Sequence, residues 1–143
     1  MLPGKHGIHV HEKGDTSDHC AAAGGHFNPY KQKHGGPDSK ERHVGDLGNI
    51  LADSNGLADF EIQIPKGTSL IGKNSIVGHT LIIHAKEDVY TVQPTGGAGA
   101  RLVCGIIKSK RQFIINNVSL GCLFLNLYNE SIFRFRYCWT PNK

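Results

Sequence analysis

The stretch Gly7-Ile8-His9-Val10-His11-Glu12 decides how the chain is read. Side chains on a strand alternate between faces, so Ile8 and Val10 share one face while His9 and His11 share the other. The apolar pair commits the segment to a core. Two imidazoles two residues apart on the opposite side are placed to chelate one metal ion. Residues 6–46 around this strand hold seven of the nine histidines: His6, His9, His11, His19, His26, His34 and His43. Of these, His26, His34 and His43 lie with Asp46 in a Gly- and Pro-rich run that has no periodicity. Three imidazoles and a carboxylate make a tetrahedral zinc set. A loop this long is uncommon without a function or an internal staple. A metal ion would supply that staple, and the loop is expected to be disordered in the metal-free protein.

Further along, residues 49–53 and 57–64 flank Ser54-Asn55-Gly56, which predicts a hairpin. In its second arm Phe60, Ile62 and Ile64 alternate with Asp59, Glu61 and Gln63, the pattern of a half-buried antiparallel strand. Residues 80–85 read Thr-Leu-Ile-Ile-His-Ala. Period two places His84 with Ile82 and Thr80, opposite Leu81, Ile83 and Ala85. Taken alone, a single strand histidine is more often structural than ligating.

Composition bounds the rest. A length of 143 residues fits one domain with one core. Eighteen glycines and few aromatics favour short strands and loops over helices. Residues 1–107 carry ten basic and eleven acidic side chains, whereas 108–143 carry six and one. The basic balance therefore belongs to the tail, whose Arg134-Phe135-Arg136-Tyr137 is too little to make a nucleic-acid face. Residues 113–128 are broken by Asn116, Asn117, Ser119 and Asn126, too short and polar for a membrane span. Met1 opens no charged-then-apolar leader. A cytoplasmic location is the expectation, and an extracellular one follows if a leader is missing from this chain. Without a leader, Asn117-Val118-Ser119 and Asn129-Glu130-Ser131 are read as chance glycosylation acceptors. Four cysteines allow three pairings if all are bridged.

Several segments together resemble the copper/zinc superoxide dismutases: Gly7-Ile8-His9-Val10-His11-Glu12-Lys13-Gly14-Asp15, Gly25-His26-Phe27-Asn28-Pro29, His34-Gly35-Gly36-Pro37, Arg42-His43-Val44-Gly45-Asp46-Leu47-Gly48-Asn49 and Gly97-Ala98-Gly99-Ala100-Arg101-Leu102-Val103-Cys104-Gly105. They stand in order and at family-like spacings. The resemblance implies an all-β Greek-key sandwich or barrel with long metal-binding loops, incomplete at the N-terminus because about three family strands would precede Met1. Sheet edges and part of the core should then be exposed. Residues 1–107 form the dismutase-like domain, and 108–143 a basic, apolar-rich tail without resemblance.

By the same resemblance, His9, His11, His26 and His84 hold copper, while His26, His34, His43 and Asp46 hold zinc. His26 bridges the two. Asp88 links a copper histidine to a zinc histidine, Arg101 attracts and orients the substrate anion, and Cys20 pairs with Cys104. The implied reaction converts superoxide to dioxygen and hydrogen peroxide by redox-cycling copper beside structural zinc. Homodimerisation and loading by a copper chaperone are implied too. His6 is read as structural or as a support to a ligand, and His19 and His79 as surface residues. Cys122 and Cys138 have no family counterpart. Residues 89–98 are shorter than the family's loop, lack its acidic and lysine residues, and place Pro94 where a lysine is usual, which predicts weaker steering of the anion. Two other readings stand beside the enzyme: a non-catalytic copper/zinc-binding module, and an incomplete, inactive product.

Overall fold

The structure, a computed structural model, describes residues 1–108 and the backbone of 123–129 and 132–137. Among these residues are seven strands: β1 (Gly4–His11), β2 (Asp46–Ala52), β3 (Asp59–Gln63), β4 (Thr80–His84), β5 (Arg101–Ile106), β6 (Leu123–Asn129) and β7 (Ile132–Tyr137). All pair antiparallel, in two sheets ordered β2-β1-β4-β5 and β3-β7-β6. The chain leaves the first sheet after β2, enters the second at β3 and returns for β4 beside β1, a Greek-key path. Among the described residues no helix is long and apolar enough to cross a membrane.

The alternation in β1 is realised. Ile8 pairs with Ile83 and Val10 with Leu81, and these four join Leu47, Ile50, Ile76 and Ile107 in the main core. Each such side chain contributes about 1.5–3 kcal/mol on burial, so this face of the sheet is held by apolar packing. On the other face His9 lies across from Ile82 and His11 across from Thr80. β1 runs further back than the alternation suggests, because Gly4 to Gly7 pair with Ala52 to Asn49. β2 likewise begins at Asp46, directly across from His9, and the register shifts between Gly7 and His9. Gly48 takes up that irregularity at φ 94°, a left-handed conformation that favours glycine.

The hairpin expectation requires correction. The reversal at Ser54-Asn55-Gly56 forms: Asp53 N–H donates to Leu57 O (2.8 Å), and the Asp53 carboxylate accepts from the N–H groups of Asn55 and Leu57 (2.8 and 2.9 Å). Its two arms then part into different sheets. A turn signal reports only the local reversal, whereas the sheet each arm joins depends on what it packs against. β2 buries Leu47, Ile50 and Ala52 within the first layer, while Phe60 and Ile62 of β3 approach the same core from the other layer. The exposure of Asp59, Glu61 and Gln63 keeps one face of β3 wet, as the alternation requires.

β3 finds its partner in the tail. Asp59 pairs with Arg136 and Gln63 with Ile132 along β7, which pairs in turn with β6. Cys122, Cys138, Asn117-Val118-Ser119, and Glu130 and Ser131 of the second acceptor lie outside the described residues.

Candidate metal centre

β1 and β4 carry His9, His11 and His84, and the loop between β1 and β2 carries His26, His34 and His43. An isolated bridge between His11 and His26 folds the loop's first part onto the strand. The second part returns along Arg42, whose guanidinium donates to the carbonyls of His43 (2.7 Å), Val44 and Asp46 (both 3.2 Å), to Lys66 O (2.8 Å) and to Thr68 Oγ1 (3.0 Å). The result is a cluster of buried imidazoles around β1: His9, His11, His26, His34, His43 and His84, with Asp46 fully buried among them.

Two groups of four have ligand atoms within 4.8 Å of one another: His9, His11, His26, His84; and His9, His26, His34, Asp46. The first is the expected copper set. The second contains three of the expected zinc residues, with His9 in the fourth place. His43 stands just beside it, its Nδ1 3.1 Å from Asp46 Oδ1 and 3.3 Å from His26 Nδ1. His26 belongs to both groups.

Hydrogen bonds decide which ring nitrogen faces inward. His11 Nδ1 lies 2.9 Å from Gly24 O, and His84 Nδ1 3.1 Å from Gly99 O. A carbonyl only accepts, so each Nδ1 carries the proton and each Nε2 is a lone pair. Those two Nε2 atoms face one another at 3.4 Å, buried. Two lone pairs so placed suit a shared cation. Asp88 plays the complementary part: Oδ2 meets His9 Nε2 at 2.8 Å and Oδ1 meets His34 Nε2 at 2.7 Å. This occupies the Nε2 edges and turns both Nδ1 atoms inward, where neither has a hydrogen-bond partner. His34 Nδ1 is 3.1 Å from Asp46 Oδ2, a close approach without hydrogen-bond geometry. Orphaned buried nitrogens beside lone pairs and one carboxylate form a donor set that suits copper and zinc.

The electrostatics keep His11, His26 and His84 neutral and Asp46 and Asp88 ionised, while His34 is drawn toward its charged form. Burial lowers His11 to about 3, and lowers His26 and His84 to about 4, so these rings are neutral at physiological pH. Burial would lower His34 too, but its contacts with Asp46 and Asp88 outweigh that and raise it to about 9. Burial pushes the Asp46 carboxyl up, yet its contacts with His26, His34 and His43 prevail and hold it far below the usual carboxylate range. Asp88 is lowered by the same contest, with His34 and His9 overcoming its burial.

Arg101 lies across from His84 on β5. Its Nη1 donates to the carbonyls of Cys20 (2.6 Å) and Ala21 (3.3 Å), and its Nη2 to Gly24 O (2.5 Å), the carbonyl that also receives His11 Nδ1. The guanidinium is near enough to lower His11 and His84. Cys20 is disulfide-bonded to Cys104. His6 spans the carbonyls of His84 (2.8 Å) and Leu2 (2.7 Å), a brace for the strand end that carries His84. His19 is exposed. His79 is not a surface residue: half-buried, it meets His11 O at 3.1 Å and packs on Phe27, because the loop folds back over it. Arg42 and Asn49 escaped the sequence reading. Asn49 holds the peptide of Asp88 at both its N–H (2.7 Å) and its carbonyl (3.0 Å). Both residues act on backbone groups, which leave no side-chain pattern; their only signal is their place next to ligands in a Gly-rich run.

Residues 1–107 match the family profile of copper/zinc superoxide dismutase. The chain belongs to this family. It is 46% identical over 116 residues to an extracellular copper/zinc superoxide dismutase of Brugia pahangi, covering 75% of this chain and 58% of that protein. Identity is 44% over 126 residues to an extracellular one of Caenorhabditis elegans, covering 83% and 56%. With superoxide dismutase 5 of Dictyostelium discoideum it shares 50% over 113 residues, covering 75% and 74%. The chain thus spans less than three fifths of both extracellular relatives. Among solved structures it resembles the clock protein EA4, with a TM-score of 0.68 and 42% identity, covering 74% of this chain and 71% of that one. Copper and zinc are the metals of the family, and the donor set described above fits them.

Proposed function

We propose that the protein dismutates superoxide, with copper held by His9, His11, His26 and His84 and zinc by His26, His34, His43 and Asp46. The observation that carries this reading is the pair of lone-pair nitrogens on His11 and His84, 3.4 Å apart beside a histidine common to two clusters. Bound copper supplies one-electron redox chemistry, oxidising one superoxide to dioxygen and reducing a second to hydrogen peroxide, while zinc is redox-silent and structural. His26, shared by both groups, holds one ring nitrogen toward Asp46 and releases or takes up a proton at the other for delivery to the reduced product. Asp88 fixes the ring orientations of His9 and His34. Arg101, permanently charged and anchored on three carbonyls, draws the anion toward His84 and orients it.

Residues 1–107 carry this chemistry, and 108–143 supply β7, which pairs with β3, and β6, which pairs with β7. The cytoplasmic expectation gains no support from the relatives, two of which are named extracellular. An extracellular location suits a structural disulfide. A second copy of the chain and a copper chaperone are the partners this reading implies.

The test is superoxide dismutation by the 143-residue chain loaded with copper and zinc, beside His84→Ala. The loaded chain is expected to be active and the variant to lose at least ~100-fold, more than is usual for losing an outer-shell partner. An inactive loaded chain would make this a metal-binding module or an incomplete product instead. A second expectation concerns steering. The loop at 89–98 has no charged side chain, so the rate should fall less steeply with ionic strength than in a variant given the acidic and lysine residues usual in the family. Equal slopes would refute this.

A further inference from the structure

We infer that Gln93 is a positioning residue for His34, acting through the backbone of that ligand. The inference rests on the zinc reading above. His34 lies in a run without secondary structure, and among the described residues no backbone group hydrogen-bonds its N–H or its carbonyl. Gln93 satisfies both. Its Oε1 accepts from His34 N–H at 3.0 Å, and its Nε2 donates to His34 O at 2.8 Å. One carboxamide thereby grips both polar groups of a single residue, which fixes the position of that residue and not merely its distance.

The grip is only as firm as the segment that presents it, and residues 88–98 are tightly turned. Val92 N–H donates to Val89 O (2.8 Å), Val89 N–H to Gly96 O (2.9 Å) and Gly96 N–H to Val92 O (2.8 Å). Gly96 passes so close to Asp88 that a side chain there would overlap the carboxylate. From this one segment His34 is held at three points: its peptide by Gln93 at two, and its ring Nε2 by Asp88. Asn49 grips the peptide of Asp88 in the same two-point way. Each partner in the His34–Asp88 contact therefore has its own carboxamide clamp. What remains without a hydrogen bond on His34 is the buried Nδ1, which faces Asp46 Oδ2 at 3.1 Å. A ligand nitrogen must be placed to within about 0.5 Å to bind productively, and a shift of the His34 backbone moves Nδ1 directly. The short, uncharged loop is thus a structural support of the zinc position.

The experiment compares Gln93→Met with the unmutated full chain. Methionine has similar length but offers no comparable donor and acceptor pair. Zinc and copper affinities are measured by chelator competition, the visible spectrum is recorded with cobalt(II) in place of zinc, and the electron paramagnetic resonance spectrum with copper(II). Gln93→Met should weaken zinc about 10- to 100-fold, the usual effect of losing an outer-shell partner. It should also change the cobalt spectrum and leave the copper spectrum unaltered. Gln93→Glu, which keeps an acceptor for the His34 N–H but sets a carboxylate oxygen against the His34 carbonyl, should weaken zinc as well. Unchanged zinc affinity and cobalt spectrum in Gln93→Met would overturn the inference, and so would equal weakening of both metals, which marks a general loss of structure. If the unmutated chain itself bound no zinc or cobalt, the zinc reading would fall and this inference with it.

Discussion

Asp46→Ala is expected to abolish tight zinc binding and to weaken the metal-free fold as well. The carboxylate is fully buried. Its Oδ1 lies 2.9 Å from His26 Nδ1 and 3.1 Å from His43 Nδ1, and its Oδ2 accepts from the N–H groups of His43 (2.9 Å) and Gly35 (3.1 Å). Alanine removes the carboxylate of the proposed zinc set, so the zinc affinity should fall by more than the ~100-fold typical of outer-shell losses. It also strands two buried backbone donors, at about 1–3 kcal/mol each, against a total stability of about 5–15 kcal/mol for a domain. Chelator competition reads the first effect, and urea unfolding of chelated protein the second. Zinc affinity equal to that of the unmutated chain would remove Asp46 from the ligand set, while unchanged unfolding would show that the loop re-pairs without it.

Cys20→Ser with Cys104→Ser should cost about 4 to 5 kcal/mol of stability in the chain-entropy account, because the bridge spans 84 residues. The bridge also serves the site. Cys20 and Ala23 pack with Ile82 and Cys104 in a small cluster of their own, and the carbonyls of Cys20, Ala21 and Gly24 are the three that anchor Arg101. The double variant should therefore lose dismutation through a misplaced guanidinium while keeping both metals. Denaturant unfolding and metal content of the same preparation check this. A stability loss below ~1 kcal/mol would contradict the entropic expectation, and intact activity would show that Arg101 holds its place without the bridge.

Much of the site was legible because its ligands sit on short-range patterns. His9 and His11 flank Val10 on one strand, and period two alone separates them from Ile8 and Val10. The strand bearing His84 and the alternation of Phe60 and Ile62 with Asp59 and Glu61 were equally local. The grouping of His34, His43 and Asp46 with residues far from them came from resemblance, since spacing along a loop carries no information about where it folds.

By itself, then, the sequence determined the strands around Ile8–Val10, Phe60–Ile62 and Leu81–Ile83, their apolar faces and the shared face of His9 and His11, because these properties depend on neighbours one to four residues away. Only the tertiary structure decided that the two arms of Asn55-Gly56 enter different sheets, that the tail supplies the partner of β3, and that His79 is covered by the loop. It also decided which two rings the expected Asp88 link joins, His9 and His34, and that Arg42, Asn49 and Gln93 bond to backbone groups of or beside the candidate ligands. The physical reason is common to all of them. Sheet membership is settled by packing between layers. The supporting polar residues reach backbone groups, which every residue has and no sequence pattern marks, across separations as long as the 59 positions between His34 and Gln93.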